Sequence, residues 1–400
     1  MNEASIPKGW QWIAIGLLGR PAGGGTPSKT VPSYWNGDIP WVSPKDMKAR
    51  YISDTQDHIT EAGVENSPAK KLPPKSILIV FRSGILVHSL PIAIARRELT
   101  VNQDIKAILP SVNYVPEYLV YALQARAQYL LRNCVKKGAT VHSIDGEKFW
   151  AEKLPVPFPD DPARSLREQH RIVARIESML NEVSELRSLH QQVISNVEAL
   201  YRTIVFNQAD WMPQYKPMRR LVNWINTDVE VKDDELYHFA GVYSFGRGVF
   251  QSKSLLGADF SYRRLTRLKA GHFTYPKLMA WEGALGSVPE ECAGCVVSPE
   301  YPVFEVDESQ VLPEVLDTYF RTSSIWPRLA ELSTGTNARR RRLNPELFLT
   351  YEFPVPPMEV QMQLRKAKRE LGNNRELNQI ATALKELEPT ILAQAFREEL

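Results

Sequence analysis

The residues best able to do covalent chemistry are scattered along the chain. Cys292-Ala-Gly-Cys295 has the spacing of half a zinc site, but the only other cysteine is Cys134, so no second pair supplies the remaining ligands. A pair of buried thiols is expected instead. The seven histidines, His58, His88, His142, His170, His190, His238 and His272, occur in no His-Glu-x-x-His or triad-like context. Gly23-Gly-Gly-Thr-Pro-Ser28 lacks the Gly-x-x-x-x-Gly-Lys-Ser/Thr order of a phosphate loop and reads as a surface loop of small residues. Gly246-Arg-Gly248 is too short for a dinucleotide or methyl-donor fingerprint. Asn344-Pro345 is followed by Glu346, so it does not begin an amino-methylation motif of Asn-Pro-Pro-aromatic type. These residues point to binding rather than catalysis.

The binding chemistry lies in the basic and amide-bearing loops. Contacts to nucleic-acid phosphates need Lys and Arg on one surface, and base edges are read by Arg, Lys, Asn, Gln, Ser and Thr on projecting loops. Arg263, Arg264, Arg267 and Lys269 form one cluster, and Arg339, Arg340, Arg341 and Arg342 another. Both adjoin turn-forming residues. In the first half of the chain the corresponding candidates are Lys29, Ser43, Lys45, Lys48, Arg82, Lys136, Lys137 and Thr140. Trp35, Trp41, Trp281 and Trp326 are expected in the core rather than stacked on bases.

Two long helices are expected to position these loops. Ser165–Phe206, 42 residues without Gly or Pro, carries a narrow apolar stripe that includes Ile172, Ile176, Met179, Val183, Leu186, Val193, Val197 and Leu200. A straight helix of that length spans roughly 60 Å and needs a partner helix. Glu359–Leu400 has a similar stripe with Leu364, Leu371, Leu377, Leu384, Leu387 and Ile391, weakened at Gly372 and Pro389, where a bend or break is expected. Each helix follows a repeated signal, Leu154-Pro-Val-Pro157 and Phe353-Pro-Val-Pro356. Between the halves Pro116-Glu117 matches Pro313-Glu314, Leu119 matches Leu316 and Gly138 matches Gly335, all 197 residues apart. The order of globular unit, Pro-rich junction and long helix therefore occurs twice, which implies a duplicated, pseudo-twofold architecture.

The local pattern predicts strands at Ser76–Phe81, Ile92–Ala95, Ile105–Leu109, Phe239–Tyr243 and Phe273–Tyr275, with a turn at Arg82-Ser-Gly84. Pro116–Asn133 is predicted as a helix, and Leu312–Leu332 as its counterpart, interrupted at Pro327. The expected domains are 1–160, a spacer helix 161–208, a second domain 209–357 and a pairing helix 358–400. The net charge of +3 permits a nucleic-acid partner without demanding one. No apolar run approaches a membrane span, the N-terminus lacks a signal-peptide core, and three cysteines fit a reducing cytoplasm.

One stretch carries a family likeness. Gly24-Gly-Thr-Pro-Ser28, Tyr34-Trp35 and Gly37-Asp-Ile-Pro-Trp-Val-Ser-Pro-Lys-Asp-Met47 resemble the opening of a target-recognition domain in the specificity subunits of type I restriction–modification enzymes. Leu154-Pro-Val-Pro157 followed by Glu168-Gln-His-Arg-Ile-Val173 is similar to that family's conserved helix, and Phe396-Arg-Glu-Glu-Leu400 to its usual helix ending. Gly335-Thr336, Arg339–Arg342 and Leu343 resemble the end of the second recognition domain. The second helix departs from the pattern, with Val360-Gln361 and no following Arg-Ile-Val.

The resemblance implies an α+β fold with two target-recognition domains separated by two long antiparallel coiled-coil helices. Each domain would read one half of a split target in double-stranded DNA, and the helices would fix the gap. The chain would be non-catalytic and bind no cofactor itself. Its partners would be methyltransferase subunits, two in number, which use S-adenosylmethionine, and through them the restriction and translocase subunits. Two other readings stay open: a self-contained modification or restriction enzyme, and a coiled-coil scaffold without DNA binding.

Overall fold

A computed structural model describes residues 6–136, 141–206, 212–335, 341–371 and 375–397. The chain divides into two compact units. One takes the residues up to Ser188 together with those from Ile380 onward, and the other runs from Leu189 to Gln379.

The first unit is built on a five-stranded sheet in the order Gly19–Gly23, Ile105–Pro110, Ile77–Val80, Ile92–Ala95 and Tyr51–Ile52. Ile77–Val80 is Ile-Leu-Ile-Val, buried at every position, as a central strand covered on both faces must be. A three-stranded sheet sets Trp35–Val42 between Asp57–Ile59 and Thr100–Val101. The glycines at 24 and 25 serve this packing. A Cβ on Gly24 would overlap the Val101 carbonyl, Gly25 donates its N–H to that same carbonyl at 3.0 Å, and Trp41 Nε1 donates to Gly25 O at 2.9 Å. The loop of small residues is thus a place of close backbone approach.

The predicted helix from Pro116 breaks into Pro116–Ala125 and Ala127–Cys134. The break falls at Arg126, whose ψ of 3° leaves the helical range. Arg126 is buried there, with its guanidinium 4.8 Å from the Trp12 ring and 4.3 Å from Tyr129, and its charge meets Glu152 at 3.4 Å. The expected turn at Arg82-Ser-Gly84 is instead a short strand, Arg82–Ser83, followed by a 3-10 turn over Gly84–Val87.

The second unit repeats much of this plan. A four-stranded sheet runs Val222–Ile225, Val303–Val306, Phe273–Thr274 and Gly286–Ser287. A five-stranded sheet runs Val229–Glu230, Arg264–Arg267, Val296–Val297, Leu236–Tyr243 and Gly248–Leu256. Pro313–Phe320 is a helix, and Pro327 stands in the first turn of the next one, Trp326–Leu332, where its missing N–H costs nothing. The expected strands at Phe239–Tyr243 and Phe273–Tyr275 are found as Leu236–Tyr243 and Phe273–Thr274.

The same junction occurs in each unit. In the first, Trp10–Ala14 pairs antiparallel with Lys153–Pro157; in the second, Gln214–Pro217 pairs antiparallel with Glu352–Val355. A helix follows each pair. Pro162–Phe206 is one helix of 45 residues, extending the predicted one by three residues at its start. The partner is divided into Met358–Glu370 and Arg375–Ala395. The break expected near Gly372 falls in this division, although Gly372 itself lies outside the described residues. At Pro389 the helix continues.

Each helix is shared between the units, which differs from the separate spacer expected from sequence. Ile172, Ile176, Val183 and Ile391 belong to the core of the first unit, where Met179 and Leu387 pack partly buried against it. Leu384 is also buried in that unit. Leu364 belongs to the core of the second unit together with Tyr201 and Val205. Arg187 donates to Leu384 O at 3.0 Å in the first unit, and His190 Nε2 lies 2.8 Å from Leu377 O in the second. Leu186, Val193 and Leu371, expected in the pairing seam, are 49%, 47% and 50% exposed. A single partner helix covers only a narrow stripe, and near Leu371 that partner is interrupted.

Candidate nucleic-acid interface

In the first unit the structure gathers two of the predicted phosphate-binding residues. Val135–Lys136, His142–Ile144 and Arg82–Ser83 form a three-stranded antiparallel sheet. Lys136 stands opposite Ser143, and Ser143 opposite Arg82. Directly paired residues share a face, so two cations flank a hydroxyl in one row. Such a row can neutralise a phosphate and donate to it. Arg82 and Lys136 are both exposed. Asp145 accepts from Lys136 at 3.0 Å, and this contact with the lysine holds the Asp145 carboxyl below the usual range. Lys137 and Thr140 lie outside the described residues.

The other candidates of this unit have different settings. Ser43 is buried, and both its N–H and its hydroxyl are given to Asp46 Oδ2, at 2.9 and 2.8 Å. It closes a turn with both of its donors turned onto Asp46. Lys45 is exposed and paired with Asp57 at 2.7 Å, a hydrogen bond that raises the lysine's pKa. Lys29 and Lys48 are exposed.

In the second unit the basic cluster at 263–269 folds onto the strand Arg264–Arg267, with Leu265 and Thr266 buried and Arg263, Arg264, Arg267 and Lys269 exposed. Arg267 donates to Gly294 O at 3.2 Å, which fixes its guanidinium beside the Cys292–Cys295 turn. Of the other arginine run, Arg339 and Arg340 lie outside the described residues. Arg341 sits 5.9 Å above the Trp281 ring, and Arg342 is ion-paired with Glu300 at 2.5 Å.

Trp41 is buried, and Trp35 meets it edge-on at 5.2 Å, as core residues do. Trp281 and Trp326 are half-buried. Cys292 and Cys295 are buried in an apolar cluster, and burial pushes the Cys292 thiol up to about 11. Among the described residues no group of three His, Cys, Asp or Glu side chains is placed to hold a metal ion.

Sequence reasoning missed a basic groove in the first unit. At the start of the long helix, Arg164, Arg167, Arg171 and Arg175 recur at steps of three and four and line a groove of about 500 Å³ with Lys8 and Trp10. Arg171 is held by Glu168 at 2.9 Å, and Arg164 stacks on Phe158 at 3.6 Å. The signal was present as helical spacing of arginine, hidden by attention to the apolar stripe.

Also missed was the glutamine that anchors each long helix. Gln169 and Gln361 are both buried, and each accepts the N–H of the residue preceding a Pro-Glu helix start. The departure noted at Val360-Gln361 thus leaves the shared residue in place. Phe396 packs edge-on to Tyr118 at 5.5 Å in the first unit, and Phe206 packs on Tyr319 at 5.3 Å in the second. Each repeated helix ending thus packs its phenylalanine on a tyrosine of the Pro-Glu helix, at different positions in the two units.

The described chain is thus two mixed α/β units, each with exposed basic residues and a strand-pair junction leading into a long helix. Residues 7–196 match the family model described as the type I restriction modification DNA specificity domain. The chain is 36% identical over 201 residues to the EcoR124I/EcoR124II specificity subunit of Escherichia coli, covering 49% of this chain and 48% of that protein. It is 30% identical over 195 residues to the MjaIX specificity subunit of Methanocaldococcus jannaschii, covering 48% and 42%. The chain spans about half the length of the curated relatives it matches. A solved chain described under the assembly and conformational transition of the type I R-M system matches across 99% of both chains, with a TM-score of 0.61 at 16% identity. The likeness to type I specificity subunits read from the sequence is borne out, and so is the α+β fold of two domains with long helices.

Proposed function

We propose that this chain is the DNA-specificity subunit of a type I restriction–modification system. Each unit reads one half of a bipartite duplex target, and the paired helices set the unspecified gap. The observation that carries this reading is the match of residues 7–196 to a DNA specificity domain. The twofold recurrence of strand pair, glutamine anchor and terminal phenylalanine supports extending it to both units.

The chain itself performs no chemistry in this reading and holds no cofactor. Two methyltransferase subunits, which carry S-adenosylmethionine, dock on the helices, and restriction and translocase subunits join through them. The half-exposed apolar residues Leu186, Leu189, Val193 and Leu200 on the long helix, and the arginine-lined groove at its start, suit partner proteins. None of the described helices is long and apolar enough to cross a membrane. In this reading the chain works on chromosomal DNA in the cytoplasm.

The test is genome-wide mapping of methylated bases in cells carrying the partner methyltransferase, with and without this chain. A split motif that depends on the chain, with a fixed gap, is the expected result. With an active partner and no chain-dependent motif, the scaffold reading replaces this one. Methylation or cleavage by the purified chain alone would establish the enzyme reading.

A further inference from the structure

The tip of the long hairpin in the second unit holds a largely exposed aromatic side chain on a strained backbone. Leu236–Tyr243 and Gly248–Leu256 pair antiparallel and close through Ser244-Phe-Gly-Arg247. Phe245 has φ of +63°, a left-handed conformation in which a bulky side chain is strained, yet its side chain is 64% exposed. The backbone holds it there: Phe245 N–H donates to Glu282 O at 2.8 Å and Gly246 N–H to Gly283 O at 3.0 Å. Gly246 packs so closely on the Arg321 backbone that a Cβ would clash.

One side of the Phe245 ring meets Trp326 at 6.2 Å, and the aromatic rings near it carry arginines. Arg247 lies 4.6 Å over the Tyr243 ring, which itself stacks on Phe250 at 3.7 Å. The 280–282 turn that anchors Phe245 also carries Trp281, the ring under Arg341. An exposed aromatic on a fixed backbone, with Arg247 on its own turn and Arg341 on the neighbouring Trp281, suits a partner with flat apolar faces and a negative backbone, which is duplex DNA.

We propose that Phe245 is an aromatic wedge that enters a groove of the duplex and packs against bases at one step, while Arg247 and Arg341 neutralise the adjoining phosphates. This rests on the DNA-specificity reading above. The proposal explains why strain is kept at a position where glycine would remove it.

The test titrates the purified full chain against a duplex of its mapped target. Absence of salt-dependent duplex binding by the unmodified chain counts against the specificity reading itself. Given that binding, Phe245→Gly is the informative variant, because the relief of the left-handed backbone offsets the lost Trp326 contact and the variant should melt close to the unmodified chain. It should bind about tenfold more weakly with an unchanged salt slope, since an apolar wedge releases no counterions. Arg247→Ala should make the slope shallower by about one. A second measurement scans single abasic sites through the target with the unmodified chain. One position should bind about tenfold more tightly, because the cost of unstacking is removed there. Equal affinity of Phe245→Gly and the unmodified chain overturns the proposal and leaves the tip to a protein partner. An abasic scan with no favoured position overturns it as well.

Discussion

The side-chain carbonyl of Gln169 accepts the backbone N–H of Val115 at 2.8 Å, and its amide donates to Asn113 O at 3.2 Å. Gln361 accepts from Leu312 N–H at 2.8 Å and donates to Gln310 O at 3.2 Å, so the second unit repeats the arrangement. Val115 and Leu312 are the residues before helices that begin Pro-Glu and lack a capping side chain. One glutamine thus ties a long helix to the start of a domain helix.

Gln169→Ala and Gln361→Ala should each cost roughly 2 kcal/mol, because a buried N–H and a carbonyl lose their partner in each case. Chemical denaturation of each variant reads this directly. Gln169→Glu should cost at least as much at pH 7, since it buries a charge against the Asn113 carbonyl that the amide served. Alanine variants as stable as the parent would show that water replaces the side chain at these junctions.

The helix starts and strand cores were legible because they rest on local rules. Ile77–Val80 reads as a buried strand from its composition, and the repeated Pro-Val-Pro signals mark both helix approaches. The glutamine anchors were not legible, because the type of residue 169 carries no sign that its partner lies at 115. The setting of Ser43 was hidden for a related reason: a serine beside Pro44 in a polar loop gives no sign that its hydroxyl is given to Asp46. The hairpin tip is not legible from Gly246-Arg-Gly248 as a motif, because two glycines around one arginine fit many loops. Turn-forming residues between two β-prone runs were the signal available.

Asp317 ties three elements of the second unit together. Its carboxylate accepts from Arg321 Nε at 3.0 Å, Lys368 Nζ at 3.2 Å and Ser287 N at 3.3 Å. Burial alone would raise its pKa, but the charges of Arg321 and Lys368 and the hydrogen bonds outweigh it, and the net shift is downward. A depressed folded pKa stabilises above the unfolded value of about 3.9, and that stability is lost as pH falls through the folded pKa. Asp317→Asn should therefore cost about 3 kcal/mol at pH 7, with the difference from the parent shrinking below about pH 4. Denaturant titrations at pH 7 and pH 3 check both parts. A difference that is the same at the two pH values would remove Asp317 as a source of acid sensitivity.

The arginines of the second unit should not contribute equally to DNA binding. Arg342 is paired with Glu300, whereas Arg341 rests on the Trp281 ring. Arg341→Ala should lower the salt slope of duplex binding by about one, and Arg342→Ala by less. In the first unit both Arg82 and Lys136 flank Ser143 in one row, but Lys136 is paired with Asp145, so Arg82→Ala should lower the slope more than Lys136→Ala. Affinity measured across salt concentrations separates these cases. A steeper loss for Arg342→Ala than for Arg341→Ala would mean that DNA displaces Glu300.

If the paired helices set the gap in the target, their length is the variable to change. Val193–Asn196 lies in the half-exposed middle of the long helix, away from the domain cores that hold Ile172 and Val205. Deleting these four residues shortens the helix by about 6 Å, close to two base pairs at about 3.4 Å each. The half-site sequences should persist, because the loops that read them are untouched, while the methylated motif closes by about two positions. The deletion also turns the remaining stripe by about 40°, so some loss of affinity should accompany the new gap. Methylation mapping with the variant reads both properties at once. New half-sites at the old spacing would place base recognition on the helices and remove their role as spacer.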